Sequence, residues 1–218
     1  MTGVDWPIAG GKNKVRIDAK FLDLNYPSIR RSLGMSPDEH PGIDINISGT
    51  SGNADLGWPV VAMSEGIVLH VGNHRVWGRV VLIHHPTLKT LLELDHEVYT
   101  QYAHLQHVCV EEGEWVWQGQ PIGSIGRGDP AYPMTAHLHF EVRRSGPDVI
   151  PADYWPRTKP NILRHYLDPE EFIKKYQKPG VLSFPSASVF ADGTLTHIQG
   201  RVLVNISNPQ KAFLRKVS

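Results

Sequence analysis

Short apolar runs, separated by glycine and proline, recur along most of the 218-residue chain. Within many of them apolar and polar residues alternate, which is the period of a half-buried β-strand. The pattern predicts strands at 58–71, 79–84, 90–94, 98–105, 113–125 and 135–142. Because few segments have a helical period, we expect a mainly β fold built on an antiparallel sheet or sandwich.

One segment in the last quarter of the chain has the pattern of a helix instead. In residues 168–176, Asp168 is a typical N-cap and Pro169 suits the first turn. Lys174 and Lys175 come near the end, where cations are favourable. We therefore expect a short helix towards the C-terminal end.

Charge and composition exclude some partners without choosing a function. Lysine plus arginine number 22, as do aspartate plus glutamate, so the formal net charge is zero. We therefore expect no nucleic acid partner and no charge-driven membrane binding. No apolar run approaches the about 20 residues that span a bilayer, and the first residues lack the features of a signal peptide. The single cysteine, Cys109, excludes an intramolecular disulfide and is expected to be buried in a strand.

Two short motifs carry the residues best suited to bind a metal. His40 and Asp44 belong to the run His-Pro-Gly-Ile-Asp, and His137 and His139 to the run His-Leu-His-Phe. Imidazole and carboxylate are zinc ligands, and a catalytic zinc site uses three protein ligands and leaves one position open. Pro41 favours a bent or extended first motif rather than a helix. In a strand, His137 and His139 project from one face, about 6.5 to 7 Å apart at the backbone.

A third motif, Gln-Tyr-Ala-His-Leu, adds His104 as a further candidate. By strand alternation Tyr102 and His104 would lie on one face. Other histidines, such as His70, His165 and His197, stand alone and are assigned no function. The chain has no His-Glu-x-x-His motif, so a thermolysin-like arrangement is not expected.

The order of these motifs forms a pattern along the chain. The blocks are His-Pro-Gly-Ile-Asp-Ile, Val60-Val61-Ala62, Gly66-Ile67-Val68, Tyr-Ala-His-Leu, Val116 with Gly119-Gln120-Pro121-Ile122-Gly123, and His-Leu-His-Phe-Glu-Val. Over residues 40–142 the chain resembles the lysostaphin and LytM type of zinc endopeptidase.

The resemblance implies a fold, a reaction and a set of residues. It implies the duplicated hybrid motif fold of these peptidases, and cleavage of stem peptides or cross-bridges of bacterial peptidoglycan at the cell wall or in the periplasm. It implies that His40, Asp44 and His139 hold one zinc ion per chain and that His104 and His137 are catalytic. Zinc would activate water, and these two histidines would move protons or stabilise an oxyanion, their individual roles being left open.

Delivery and two other classes of function stay open at this point. The sequence start is consistent with an envelope enzyme whose leader was removed or with delivery of a phage type. One alternative function is a non-hydrolytic module of the same fold that binds the envelope or activates another hydrolase. The other is a carrier domain, because residues 116–123 also resemble lipoyl and biotinyl hairpins. The carrier is disfavoured, because no acceptor lysine lies between Thr90 and Lys159.

The chain is expected to divide into three segments. Residues 1–39 would supply a strand at 5–7 and a loop that approaches the metal. Residues 40–178 would form the zinc endopeptidase domain, and residues 179–218 a β-rich appendage. Because about 40 residues rarely hold a core alone, the appendage is not expected to be a separate wall-binding domain.

Three further parts could complete a substrate groove. Tyr26 could reach the site as an oxyanion donor. Residues 86–98 and 145–167 could each form a groove wall, or could be an ordinary surface hairpin and a packed loop.

Overall fold

Strands dominate the structure, a computed structural model that describes residues 3–32, 34–131 and 134–177 and the backbone of three short strands beyond them. The α-helices are α1 (Tyr26–Ser32), α2 (Pro86–Leu91), α3 (Lys159–His165) and α4 (Pro169–Tyr176), and a 3-10 turn spans Gly11–Lys14. The strands are β1 (Val15–Ala19), β2 (Ile43–Ile47), β3 (Pro59–Val61), β4 (Gly66–His74), β5 (Gly78–His84), β6 (Tyr99–Val108), β7 (Trp115–Val116), β8 (Pro121–Ile125), β9 (Leu138–Arg143), β10 (Tyr166–Leu167), β11 (Ser188–Val189), β12 (Thr194–Thr196) and β13 (Leu203–Asn205).

The first ten strands form one sheet in which paired strands are antiparallel. Its main order is β1-β2-β9-β6-β5-β4-β7, with β10 on β9 and with β8 pairing both β3 and β6. The last three strands form a separate antiparallel sheet, β11-β12-β13. The prediction of a mainly β, antiparallel fold is confirmed. Among the residues described, no helix is long and apolar enough to cross a membrane.

The two faces of the central strands have different roles. Tyr102 of β6 pairs with Phe140 of β9, and their rings meet in the main apolar core. The next pair in this register, Ala103 and His139, lies on the opposite face. On that face a smaller apolar cluster forms around Ala103 and Trp77. The sheet therefore separates the main core from the face that carries the candidate histidines.

Several predicted elements are present with small shifts of their ends. The strands predicted at 79–84 and 98–105 are β5 and β6, and the segment 135–142 contains most of β9. The predicted helix is α4, and the carboxylate of Asp168 accepts hydrogen bonds from the backbone N–H groups of Glu170 and Glu171. The N-cap signal therefore located the start of this helix correctly.

Other element predictions need correction. The strand predicted at 58–71 is divided into β3 and β4, and the strand predicted at 113–125 into β7 and β8. The strand predicted at 90–94 is wrong, because Thr90 and Leu91 end α2, which begins at Pro86. Leu92 and Leu94 then pack against the main core from the turn that follows. A short apolar run fits either period, and proline at the first helical turn favours the helix.

The N-terminal segment contributes to the main core without the strand expected at 5–7. Trp6 and Ile8 are buried there, and the stretch runs beside β3, joined to it by an isolated bridge between Ile8 and Val60 and by backbone hydrogen bonds such as that from the N–H of Val61 to the carbonyl of Pro7. Pro7 has no N–H to donate to a ladder, and Asp5 binds the N–H of Trp6 with its own carboxylate. The strand that this segment does supply is β1, which pairs with β2.

The division into segments 1–39, 40–178 and 179–218 stays a prediction. Residues 178–187 and most of the tail lie outside the described residues. Within the tail the described backbone contains β11, β12 and β13, which agrees with the expectation of extra strands.

Candidate metal centre

The pairing of β2 with β9 brings the two metal-binding motifs together. Asp44 lies directly opposite His139 in this antiparallel register. Gly42 makes the close approach possible, because a Cβ at this position would overlap the carbonyl oxygen of Phe140. The chain segment before β2 is not helical, so His40 reaches the same point from the end of the preceding loop, as its Pro-Gly sequence predicts.

Three side chains converge here with donor atoms suited to zinc. The Nε2 of His40 lies 3.1 Å from the Nδ1 of His139. One carboxylate oxygen of Asp44 lies 3.2 Å from the former and 2.9 Å from the latter. Donors on a tetrahedral zinc with bonds of about 2.05 Å are about 3.3 Å apart. His40, Asp44 and His139 are the group within the described residues whose donor atoms all lie within 4.8 Å of one another.

Outer hydrogen bonds decide which ring nitrogen each histidine presents. The Nδ1 of His40 donates to the carbonyl oxygen of Lys20 at 2.8 Å, which leaves Nε2 facing the centre. His139 is oriented the other way, because its Nε2 contacts the carboxylate of Glu141 at 3.1 Å. Glu141 in turn accepts from the Nε of Arg143 at 2.8 Å, and both are fully buried. Such carboxylate partners orient ligand histidines in metal sites.

The charges around the centre favour a cation. Burial opposes ionisation of Asp44, but attraction to His40 and His137 and hydrogen bonds from the histidines hold its pKa well below the usual range. Burial also opposes protonation of His139, yet hydrogen bonds to Asp44 and Glu141 raise its pKa to about 9. The two carboxylates therefore create a negative potential at this ring. The same potential favours a metal ion that displaces the proton.

A second pair of histidines lies beside the three donors. The Nε2 of His137 is 3.7 Å from the Asp44 carboxylate, and its Nδ1 donates to the carbonyl oxygen of Thr135 at 2.7 Å. The Nδ1 of His104 contacts the carbonyl oxygen of Trp77 at 3.0 Å. The His104 and His137 rings are 4.8 Å apart. Burial, followed by the neighbouring His137 and His139, holds the pKa of His104 well below its usual range.

The position of His104 corrects one expectation from the sequence. Tyr102 and His104 were expected on one strand face, but Tyr102 packs in the main core whereas His104 contacts His137 and His139 on the other face. His104 has a φ of 63°, and the register of β6 with β5 shifts between Tyr102 and Leu105, the interval that contains it. The register of β6 with β8 shifts just after it, between Leu105 and His107. This bulge turns the imidazole to the metal-binding face, where regular alternation would not place it.

Aromatic rings cover the centre. The ring of Tyr26, in α1, stacks on His40 with centroids 4.2 Å apart. Trp155, from the loop after β9, lies 5.7 Å from the ring of His139. The proposed groove wall at 145–167 thus includes a residue that packs against the centre. Trp77, whose ring is 5.3 Å from His139, was missed, because no local pattern distinguishes it from an ordinary loop aromatic.

The remaining groove candidates have different surroundings. Burial, and then the charge of Asp44, raises the pKa of Tyr26, so its hydroxyl stays protonated and able to donate. Residues 86–98 instead place Leu88 in the main core, on the opposite side of the sheet. Cys109 lies just beyond the end of β6 and is half-buried rather than within a strand.

A depression of about 220 Å³ opens beside the centre. Its lining includes Asp44, His137, Thr135, Asn46, Arg16 and Asp18. Arg16 forms a paired contact with Asp18 on the far wall, with N–O distances of 2.6 and 2.8 Å. Polar groups of both signs therefore face the space next to His137.

Comparison with known proteins places these features in a family. The sequence profile of Peptidase family M23 matches residues 38–151, just over half of the chain. The murein hydrolase activator NlpD of Salmonella dublin is 31% identical over 58% of this chain and 29% of its own length. The peptidoglycan DD-endopeptidase ShyB of Vibrio cholerae is 33% identical over 62% of this chain and 34% of its own length.

A solved structure supports the fold. Lysostaphin from Staphylococcus simulans matches with a TM-score of 0.53 and 22% identity, over 84% of this chain and 62% of that one. This agrees with the lysostaphin-type fold implied by the motifs. The chain spans about a third of the length of the curated relatives it matches.

Proposed function

The chain belongs to peptidase family M23, and from this premise we propose that it is a zinc-dependent endopeptidase that hydrolyses peptide cross-links of bacterial peptidoglycan. The observation that carries the proposal is the complete set of His40, Asp44 and His139 donors beside a second pair of imidazoles. A module that only binds would need neither the buried donors nor the pair. The proposal places the protein outside the cytoplasm, where peptidoglycan is found.

The three donors would hold the metal through the Nε2 of His40, a carboxylate oxygen of Asp44 and the Nδ1 of His139. When bound, zinc supplies a Lewis acid that polarises a carbonyl group and lowers the pKa of water towards about 7. Glu141 and Arg143 keep the His139 ring in the orientation that presents Nδ1. The set of two imidazoles and one carboxylate leaves room for a substrate or water ligand.

His104 and His137 are the residues that we assign to proton transfer. Each contacts a backbone carbonyl through Nδ1, so in the neutral ring Nε2 carries the lone pair. Such a nitrogen can take a proton from water and return it to the leaving amine. His137 lies on the depression beside Asp44, so its Nε2 is open to a bound peptide. Tyr26 has a protonated hydroxyl near the centre and is a further candidate to stabilise an oxyanion.

The substrate class rests on the relatives and on the site together. ShyB is named a peptidoglycan DD-endopeptidase, and this chain shares a third of the matched residues with it. The depression between Asp44 and the Arg16–Asp18 pair offers contacts to both charged ends of a short stem peptide. We therefore propose a stem peptide or cross-bridge as the substrate.

A second function has support from a different relative. NlpD is named a murein hydrolase activator, and its similarity to this chain is of the same order. A non-hydrolytic activator would stimulate another hydrolase whether or not the proton-transfer pair is intact.

One experiment separates hydrolysis from activation. Purified cross-linked peptidoglycan fragments are incubated with the zinc-loaded chain alone, and products are identified by mass spectrometry. A hydrolase releases one new amine and one new carboxylate per cleaved cross-link, and His137→Ala abolishes their appearance. If the chain alone produces no cleavage but increases the rate of an added hydrolase, and His137→Ala does so equally, the activator function is correct.

A further inference from the structure

Another pair of histidines, separate from His104 and His137, lies partly exposed on β4, away from the candidate centre. His70 and His74 are four residues apart, and their Nε2 atoms approach to 2.8 Å. The two ring centroids are 5.1 Å apart. The side chains are 30% and 23% exposed, so the space between them is open to small ions. From the sequence alone His70 was assigned no function, because it stands outside the metal-binding motifs.

The glycine between them explains how the rings meet. His70, Gly72 and His74 share one strand face, so the histidine side chains lean towards each other above Gly72. A Cβ on Gly72 would overlap the Nε2 atoms of both rings. The φ of Gly72 is not in the left-handed region, so the backbone does not require glycine here. The space above Gly72 is what allows the two nitrogens to converge.

Carboxylates at the outer nitrogens determine where the ring protons lie. Glu112 is 3.1 Å from the Nδ1 of His70, and it also accepts from the backbone N–H of Val71 at 2.9 Å. Asp153 is 4.0 Å from the Nδ1 of His74. An ionised carboxylate only accepts hydrogen bonds, so Glu112 favours a proton on the Nδ1 of His70. Asp153 is too far from His74 for a hydrogen bond and favours a proton on its Nδ1 only through its charge. With both ring protons on Nδ1, the Nε2 lone pairs of the two neutral rings approach each other, and they repel unless the two nitrogens share a proton or bind the same metal ion.

We propose that His70 and His74 form a second metal site, in which their Nε2 atoms bind a divalent ion of the zinc type. Imidazole suits zinc, copper and nickel, whereas magnesium and calcium prefer oxygen ligands. The two donor nitrogens at 2.8 Å are spaced much as His40 and His139 are, at 3.1 Å. Glu112 takes the place that a carboxylate ordinarily has behind a ligand histidine, and Asp153 lies 4.0 Å from the outer nitrogen of His74. Water completes the coordination on the open side.

The site is linked to the rim of the candidate centre through Asp153. The backbone carbonyl of Asp153 accepts from the Nε1 of Trp77 at 3.1 Å. Trp77 packs against Trp155 and His139 on the metal-binding face. An ion at His70 and His74 therefore strengthens the contact between β4 and the loop that carries Trp155. The inference does not depend on the proposed peptidase activity.

The test is a zinc titration of the metal-free 218-residue chain by calorimetry, with the imidazole resonances followed by NMR. The wild type is expected to bind two equivalents, and the His70 and His74 resonances should move with the second. His70→Ala and His74→Ala should each bind only one equivalent. Gly72→Ala should do the same, because its methyl group separates the two nitrogens without removing either. Glu112→Gln should weaken the second equivalent by about tenfold.

Two controls keep the result specific. His96→Ala removes a histidine that also lies beside a carboxylate, Asp95 at 3.8 Å, but contacts no second imidazole among the described residues. This variant should keep both equivalents. His139→Ala should lose the first equivalent and keep the one at His70 and His74. The proposal is overturned if the His70 and His74 resonances do not respond to zinc in the wild type, in which case the pair only shares a proton. It is also overturned if folded His70→Ala and His74→Ala still bind two equivalents.

Discussion

Among single residues, the histidines around Asp44 differ in which ring nitrogen faces inward. His40, His104 and His137 each contact a backbone carbonyl through Nδ1, whereas His139 uses Nε2 to contact Glu141. The inward atom is therefore Nε2 in three rings and Nδ1 in His139. Because a ligand histidine is oriented by the partner of its other nitrogen, Glu141 is as much part of the candidate site as the donors themselves.

The first prediction concerns Glu141. Glu141→Gln should lower zinc affinity by about 10- to 100-fold, because the ring of His139 loses its charged partner. It should also lower the free energy of unfolding by about 3 to 5 kcal/mol, because the buried Arg143 is left without a counter-charge. Zinc titration and urea unfolding measure the two effects. The exposed Glu111→Gln is the matched control, and equal zinc affinity in both variants would remove Glu141 from the site.

The second prediction concerns pH and a histidine away from the metal. His85 is fully buried between the carbonyl oxygen of Glu65 and the hydroxyl of Thr100. Burial is the main cause that lowers its pKa from 6.5 to about 4. The unfolded chain therefore takes up this proton below about pH 6.5 while the folded chain does not. Stability should fall as the pH is lowered from about 6.5 to about 4, by roughly 3 kcal/mol in total.

Urea unfolding of metal-free protein at a series of pH values measures this dependence. His85→Gln keeps a donor and an acceptor but does not titrate, so its stability should vary less over the same pH range. Parallel curves for the two proteins would show that His85 does not contribute.

The residue types at the candidate site were predictable from sequence, but their orientations were not. The short motifs place His40, Asp44, His137 and His139 together once β2 pairs with β9. The inward turn of His104 depends on a φ of 63° within β6, and no local signal in Tyr-Ala-His-Leu indicates it. Glu141 was also missed as a partner, although it lies two residues after His139 in β9 and strand alternation places both side chains on one face.

Among the elements, the register between β2 and β9 determines the geometry of the donors. Asp44 faces His139 across this pair, and Gly42 packs against the backbone at Phe140. Strand periodicity predicted such strands where alternation was long, as in β6. It failed at α2, where a short apolar run fits either period and the proline decides. Pairing between strands distant in sequence is set by the whole core, so it was available only through the family resemblance.

The third prediction tests this register. Gly42→Ala adds a methyl group that must displace β2 from β9, so zinc affinity should fall and stability should decrease by about 1 to 3 kcal/mol. Gly146→Ala is the control, since its added Cβ meets only the side chains of Asp148 and Tyr99. Zinc titration and thermal unfolding are the measurements. Unchanged zinc affinity in folded Gly42→Ala would mean that the centre tolerates a shift of the strands.

In the whole molecule, the described core and the candidate centre both lie before residue 178. The main core cluster ends with residues of α4, and the donors lie between His40 and His139. The motifs and the family profile both fall within this part, which is why the fold class was predictable from the sequence. The tail carries no such motif, so its role could not be inferred from the residues.

The fourth prediction concerns that tail. Removal of residues 181–218 should leave zinc binding and cleavage of a small cross-linked peptide within about twofold of the full chain, because the ligand set lies elsewhere. Circular dichroism, zinc titration and the cleavage rate are measured on both lengths. Insoluble or unfolded truncated protein would show that the tail strands complete the core, and the predicted boundary would be wrong.

The central claim is that three residues hold zinc and two others move protons, and it is tested by zinc stoichiometry measured beside the cleavage rate. The five variants are His40→Ala, Asp44→Ala, His139→Ala, His104→Ala and His137→Ala, each confirmed to be folded. Each also carries His70→Ala, which removes the second proposed site, so that the measured zinc stoichiometry reports the candidate centre alone. The first three should lose zinc and activity together. The last two should keep about one equivalent while turnover drops by about a hundredfold or more. Zinc loss in His137→Ala with retention in His139→Ala, or full turnover in both His104→Ala and His137→Ala, would contradict the account.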